Sequence, residues 1–149
     1  LRQVDLPAAA RGLARTWRVG PAARPVDDAS YVEEVRAFDG IGLRPYAPAH
    51  VRAVENGGDL DVSWVRRTRI DGDLWGAGDV PLGEAAEAYQ LRVMEGAAVV
   101  REAVLSAPAW TYSAAMQASD AIAGAYRIEV AQVSDRFGPG LFRRIEING

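Results

Sequence analysis

Cysteine is absent from the 149 residues, which excludes disulfides, thiolate metal ligands and cysteine nucleophiles at once. Packing alone has to hold the fold. Lysine is absent too: all 17 basic residues are arginine. Beside abundant Ala and Gly this reads as a coding bias of the source genome rather than selection for phosphate contacts, because a nucleic-acid binder carries a net positive balance and the formal charge here is -3. No nucleic-acid partner is expected. A single histidine, His50, excludes histidine pairs for a metal and leaves one candidate general base. No G-x-S-x-G nucleophile motif stands anywhere to use it. No run approaches the roughly 20 apolar residues that a membrane-spanning helix needs, so the chain is expected to be soluble, with no stable membrane insertion. The opening, "LRQVDLPAAARGL", has neither an initiator Met nor the charged-then-apolar pattern of a signal peptide. The expectation is a piece of a longer polypeptide.

What is present is a repeated period of two. Leu60, Val62 and Trp64 fall on one face of an extended chain; so do Tyr89, Leu91 and Val93, then Tyr126, Ile128 and Val130, and finally Ile145 and Ile147. Side chains of a strand alternate between faces, so each set is the buried edge of a half-exposed strand. Between the sets lie "ENGGD", "EG" and "DRFGPG", whose glycines and proline supply the backbone angles of chain reversals. The pattern predicts strands near 49–55, 59–66, 87–94, 98–105, 109–112, 124–133 and 141–148. Short strands with one wet face read as an antiparallel sandwich. The fold class expected is all-β, a seven-strand immunoglobulin-like sandwich over 45–149. One helical turn is expected after Ser113, a good N-cap for "AAMQASDA". Residues 1–44 carry two short candidate strands around a Pro-rich turn and too little apolar surface for their own core. They are read as a β-rich connector that pairs with a preceding domain or packs against the sandwich.

The stretch "DLDVSWVRRTRIDGDLWG" at 59–76 holds the candidate contact residues. Arg66, Arg67 and Arg69 form a guanidinium group suited to carboxylates or phosphates on a surface glycan; equally, they pair locally with Asp71, Asp73 or Glu84. Trp75 can stack on a sugar or anchor a partner, or fold back over the end of the sandwich. Asp71, Asp73, Gly76 and Asp79 imitate part of a calcium loop, but Trp75 and Leu82 stand where acidic ligands belong. In "GAGDVPLG", Pro81 replaces the third glycine of a dinucleotide fingerprint and no helix follows. No catalytic, cofactor-binding or metal site is expected. Trp64 and Trp110 are assigned to the core, and Tyr126 to a tyrosine corner whose hydroxyl bonds upstream backbone.

Two resemblances carry the functional expectation. "RPYAPAHVRA", the tryptophan of "LDVSWV", "AYQLRV" and "AYRIEVAQVSDRFGPG" resemble, in that order, successive strands of a fibronectin type III domain. "ARGLARTWRVGPA", "GLRPYAPAHVRA", "VSWVRRTRIDGDLW" and "VPLGEAAEAYQLRV" resemble the carboxy-terminal region of the large tail-tip proteins (baseplate hub, or megatron) of gene transfer agents and tailed phages. The second likeness implies a non-enzymatic virion component made in the bacterial cytoplasm and placed at the tail tip. Its implied partners are other domains of the same protein, neighbouring tail proteins and a host-surface glycan or receptor, in attachment or envelope penetration. A carbohydrate-binding or spacer module of a secreted multidomain protein is the alternative.

Overall fold

In a computed structural model of the chain, residues 6–72 and 80–148 are described. The chain divides into two compact units, Leu1–Leu43 and Arg44–Gly149. The first contains a two-stranded antiparallel ribbon, β1 (Arg15–Val19) and β2 (Val32–Arg36), with Trp17 opposite Glu34 and Val19 opposite Val32. Trp17 packs edge to face on Phe38, ring centroids 5.5 Å apart. In the loop between the strands the Tyr31 hydroxyl donates to the carbonyls of Pro21 and Arg24. Gly20 leaves room for that ring, because a Cβ there would lie 2.5 Å from it.

Among its described residues the second unit is all-β apart from one short helix. A three-stranded sheet runs in the order β3 (Ala49–Asn56), β4 (Asp59–Val65), β7 (Ala109–Tyr112). The other follows β10 (Arg143–Ile147), β8 (Tyr126–Ser134), β5 (Tyr89–Glu95), β6 (Ala98–Leu105), with the two-residue β9 (Gly138–Pro139) added to β8. Every pairing is antiparallel. Sequence composition sets the reversals. Gly57 and Gly58, both at positive φ (60° and 97°), form the two-residue loop joining β3 to β4, the left-handed pair that a primed turn requires. Gly96 does the same for β5 and β6 at a single positive φ.

The two sheets share one core. Leu60, Val62 and Trp64 of β4 and Tyr112 of β7 meet Tyr89, Leu91 and Val93 of β5 and Ile128 and Val130 of β8, all buried. Trp64 packs edge to face on Tyr89 across the interior, at 5.2 Å. Burying each large apolar side chain of this set contributes roughly 1.5–3 kcal/mol before conformational entropy is charged. Trp110 differs from the expectation: it is half-buried, stacked on Tyr112 at 5.2 Å near the end of the core, because β7 is an edge strand. Tyr126 differs too. Its ring lies edge-on to Tyr112, and among the described residues its hydroxyl makes no hydrogen bond to upstream backbone.

The helical turn expected after Ser113 is present as α1 (Ala114–Asp120). Ser113 caps it, accepting from the Met116 N–H. At its other end Asp120, whose side chain is 8% exposed, accepts two bonds from Arg101 of β6 (2.7 and 2.8 Å) and one from the Tyr112 hydroxyl (2.6 Å). Since β6 and β7 belong to different sheets, this carboxylate ties the two together along one open side. Arg101 first, then Tyr112, holds the Asp120 pKa below the usual carboxylate range.

The outer face of the larger sheet carries a cross-strand row of alternating charge: Arg144 opposite Glu129, Glu129 opposite Arg92, Arg92 opposite Glu102. Arg92 bonds Glu102 at 2.9 Å and lies over the Phe142 ring, while Glu129 bonds Arg127 at 2.7 Å. Opposite charges on facing strands support the pairing register.

Candidate functional site

The three arginines after β4 share a segment but not a target. The Arg66 guanidinium donates to the carbonyls of Val80 (2.8 Å) and Pro81 (2.9 Å), fixing the return of the long loop to the strand that began it. Arg67 is held by its backbone: its N–H donates to Gln132 Oε1 (2.7 Å) and its carbonyl accepts from Gln132 Nε2 (2.8 Å). Gln132, 5% exposed on β8, thus supplies through one amide the two bonds that a neighbouring strand would otherwise provide. The Arg67 guanidinium lies over the Tyr46 ring at 5.0 Å. Arg69 pairs with Glu84 at 2.7 Å, their side chains 17% and 10% exposed, and also faces the Phe137 ring. These contacts position the loop from several sides.

Trp75 lies outside the described residues, as do Asp73, Gly76 and Asp79. Asp71, at φ 48°, opens the turn. Among the described residues no group of three His, Asp or Glu side chains is placed to hold a metal ion.

Below the arginines the polar seam closes tightly. The Tyr89 hydroxyl donates to Glu87 at 2.6 Å. Burial, and then Glu87, pushes this phenol's pKa up. The space between Arg66, Glu84, Glu87, Tyr89 and Gln132 is about 10 Å³, room for a water at most. The seam is therefore structural.

His50 occupies a different place, one that its sequence neighbours did not mark. Ala49 pairs with Val65 and Arg52 with Ser63, so two residues of β3, His50 and Val51, stand against the single Trp64 of β4. This is a β-bulge, and His50 takes the left-handed conformation at φ 51°, where histidine is several-fold enriched among non-glycine residues. The bulge keeps Val51 half-buried beneath the sheet and leaves His50 and Arg52 exposed on its outer face. There His50, Arg52, Ser63, Trp64 and Val65 border an open depression of about 280 Å³. One register step away, Asp61 accepts from Asn56 (3.0 Å) and Thr111 (2.7 Å), in that order the causes that lower its pKa.

Sequence reasoning missed Gln132, Asp120 and the bulge. Only Asp120 had a local signal: an acidic residue in the last turn of a helix opposes the helix dipole and calls for a cationic partner.

No family model matches the chain, and no curated protein matches it. Among solved structures it is similar to domains d3–d4 of the rat CD45 extracellular region, at 12% identity and a TM-score of 0.49, over 100% of this chain and 70% of that one. It is also similar to the Clostridium perfringens spore cortex lytic enzyme SleM, at 10% identity and a TM-score of 0.47, over 90% of this chain and 38% of that one. Neither likeness carries an activity over to this chain.

Proposed function

We propose that this chain is a non-enzymatic structural and adhesion module of a phage-like tail tip, its second unit a seven-strand fibronectin type III-like sandwich. The observation that carries the reading is the sequence likeness to tail-tip proteins, which runs from "ARGLARTWRVGPA" in the first unit to "VPLGEAAEAYQLRV" in the second. The strand order, β3-β4-β7 facing β10-β8-β5-β6 around Trp64 and Tyr89, supports the fibronectin type III part. The engagement of charged groups with each other on the larger sheet, Arg92 with Glu102 and Arg127 with Glu129, supports a scaffolding role over a catalytic one.

In this reading the loop after β4 is the contact surface. Arg66 and Arg69 hold its two ends, and its partner is a neighbouring tail protein or a host-surface glycan. The partners are the other domains of the same polypeptide and the adjoining tail proteins. The decisive experiment is immuno-electron microscopy of purified particles from the source organism with antibodies raised against this chain. Label at the distal end of the tail is expected. Particles that bind no antibody, or bind it only at the head, overturn the reading.

A further inference from the structure

The depression at the β3 bulge is a recognition site for a small organic monocarboxylate, of the class of a carboxylated sugar; this we infer from its chemistry. The inference goes beyond the tail-tip reading and does not depend on it, since the same sandwich in any other protein would carry the same hollow.

The first ground is the state of the cation. Arg66, Arg67, Arg69, Arg92, Arg101 and Arg127 each have a carbonyl, carboxylate or ring to engage. Arg52 is exposed beside the hollow and, among the described residues, makes no hydrogen bond or ion pair. A guanidinium with its fork free is the side chain best matched to a planar carboxylate. The second ground is the backbone. A bulge and a left-handed His50 re-aim an imidazole onto the same face as Arg52, and such departures from regular pairing gather where a side chain must be presented. With the Ser63 hydroxyl on the facing strand, three polar side chains border one hollow whose remaining lining is Trp64 and the apolar Val65.

Size and charge narrow the ligand. About 280 Å³ lies just below the roughly 300–1,000 Å³ of small-molecule sites, so a single ring fits better than a chain of them. Asp61 shares this face two residues before Ser63, close to 7 Å along the strand, and its hydrogen bonds keep it ionised. That negative charge disfavours a doubly charged phosphate more than a singly charged carboxylate. An apolar wall likewise suits the carbon skeleton of an organic acid.

The test is a two-dimensional amide NMR titration of the intact chain with glucuronate, run against glucose and inorganic phosphate. Glucuronate is expected to shift the amides of residues 50, 52, 63 and 65 saturably, glucose to leave them in place, and phosphate to bind more weakly. Arg52→Gln, at an exposed position, should keep the dispersed spectrum of the fold and weaken glucuronate binding about tenfold or more, the loss of one charge-assisted contact. Ser63→Ala should weaken it by a smaller factor. The inference is overturned by the absence of saturable shifts, by equal shifts with glucose, by tighter binding of phosphate, or by an Arg52→Gln protein that binds as the parent does. None of these outcomes bears on tail localisation.

Discussion

Replacing Gln132 by Leu removes both hydrogen bonds that the amide makes to the Arg67 backbone (2.7 and 2.8 Å) while keeping the side-chain volume similar. Each neutral bond contributes about 0.5–1.5 kcal/mol net. Arg67 is exposed as a residue although both bonds are part-buried, so its freed N–H and C=O lose only part of their solvation. The leucine brings no unsatisfied group of its own into a position only 5% exposed. The loss should therefore be about 1–3 kcal/mol, whereas Gln132→Ala adds a cavity and should cost about 1–2 kcal/mol more. Urea unfolding followed by tryptophan fluorescence would measure both. Amide exchange gives a second, local readout: in Gln132→Leu the Arg67 amide should lose protection, while the buried Leu91 and Ile128 change only with global stability. If Gln132→Leu unfolds within 0.3 kcal/mol of the parent and the Arg67 amide keeps its protection, the clamp is not what holds the segment after β4, and the account of how the loop is positioned fails with it.

Further expectations follow from other parts of the second unit. Asp120 has a lowered folded-state pKa, set first by Arg101. Its contribution is therefore present above the ordinary carboxylate range and is lost as pH falls through the folded value; Asp120→Asn should lower the melting temperature at neutral pH and flatten its decline below about pH 4. Gly140→Ala should destabilise severely or prevent folding, since a Cβ there would lie 2.1 Å from the Pro45 carbonyl oxygen, and a soluble variant with the parent's melting temperature would contradict the packing described. Arg69→Ala leaves Glu84 at 10% exposure without its cation and should cost about 1–3 kcal/mol, read by the same urea titration. Trp75→Ala should reduce capture of a neighbouring tail protein; unchanged capture would remove Trp75 from the contact surface.

The strands were legible because their signal is local. Alternation in "LDVSW" and "AYQLRV" and the glycines at 57, 58 and 96 place β4, β5 and their turns within one or two residues. Ser113 announced α1 in the same way, by a side chain that caps the backbone three residues on. The fates of the arginines were not legible, since each partner is remote along the chain: Glu84 is 15 residues from Arg69, and Gln132 is 65 from Arg67. The bulge at His50 was hidden for another reason. Histidine there replaces the glycine that usually betrays a left-handed residue, so the sequence reads as uninterrupted strand. Trp110 was placed too deep because a period of two tells which face a residue takes, not whether its strand lies at an edge.

The interruption in β3 also bears on how the second unit meets mechanical load. Before the bulge stands a single rung, Ala49 with Val65; after it come five in succession, from Arg52–Ser63 to Asn56–Asp59. Tension drawn through Arg44 reaches the lone rung first, and the irregular step stops the tear from running on into the rest. A single-molecule pulling trace should show a short, early, reversible lengthening before the main rupture, the behaviour of a built-in slack link.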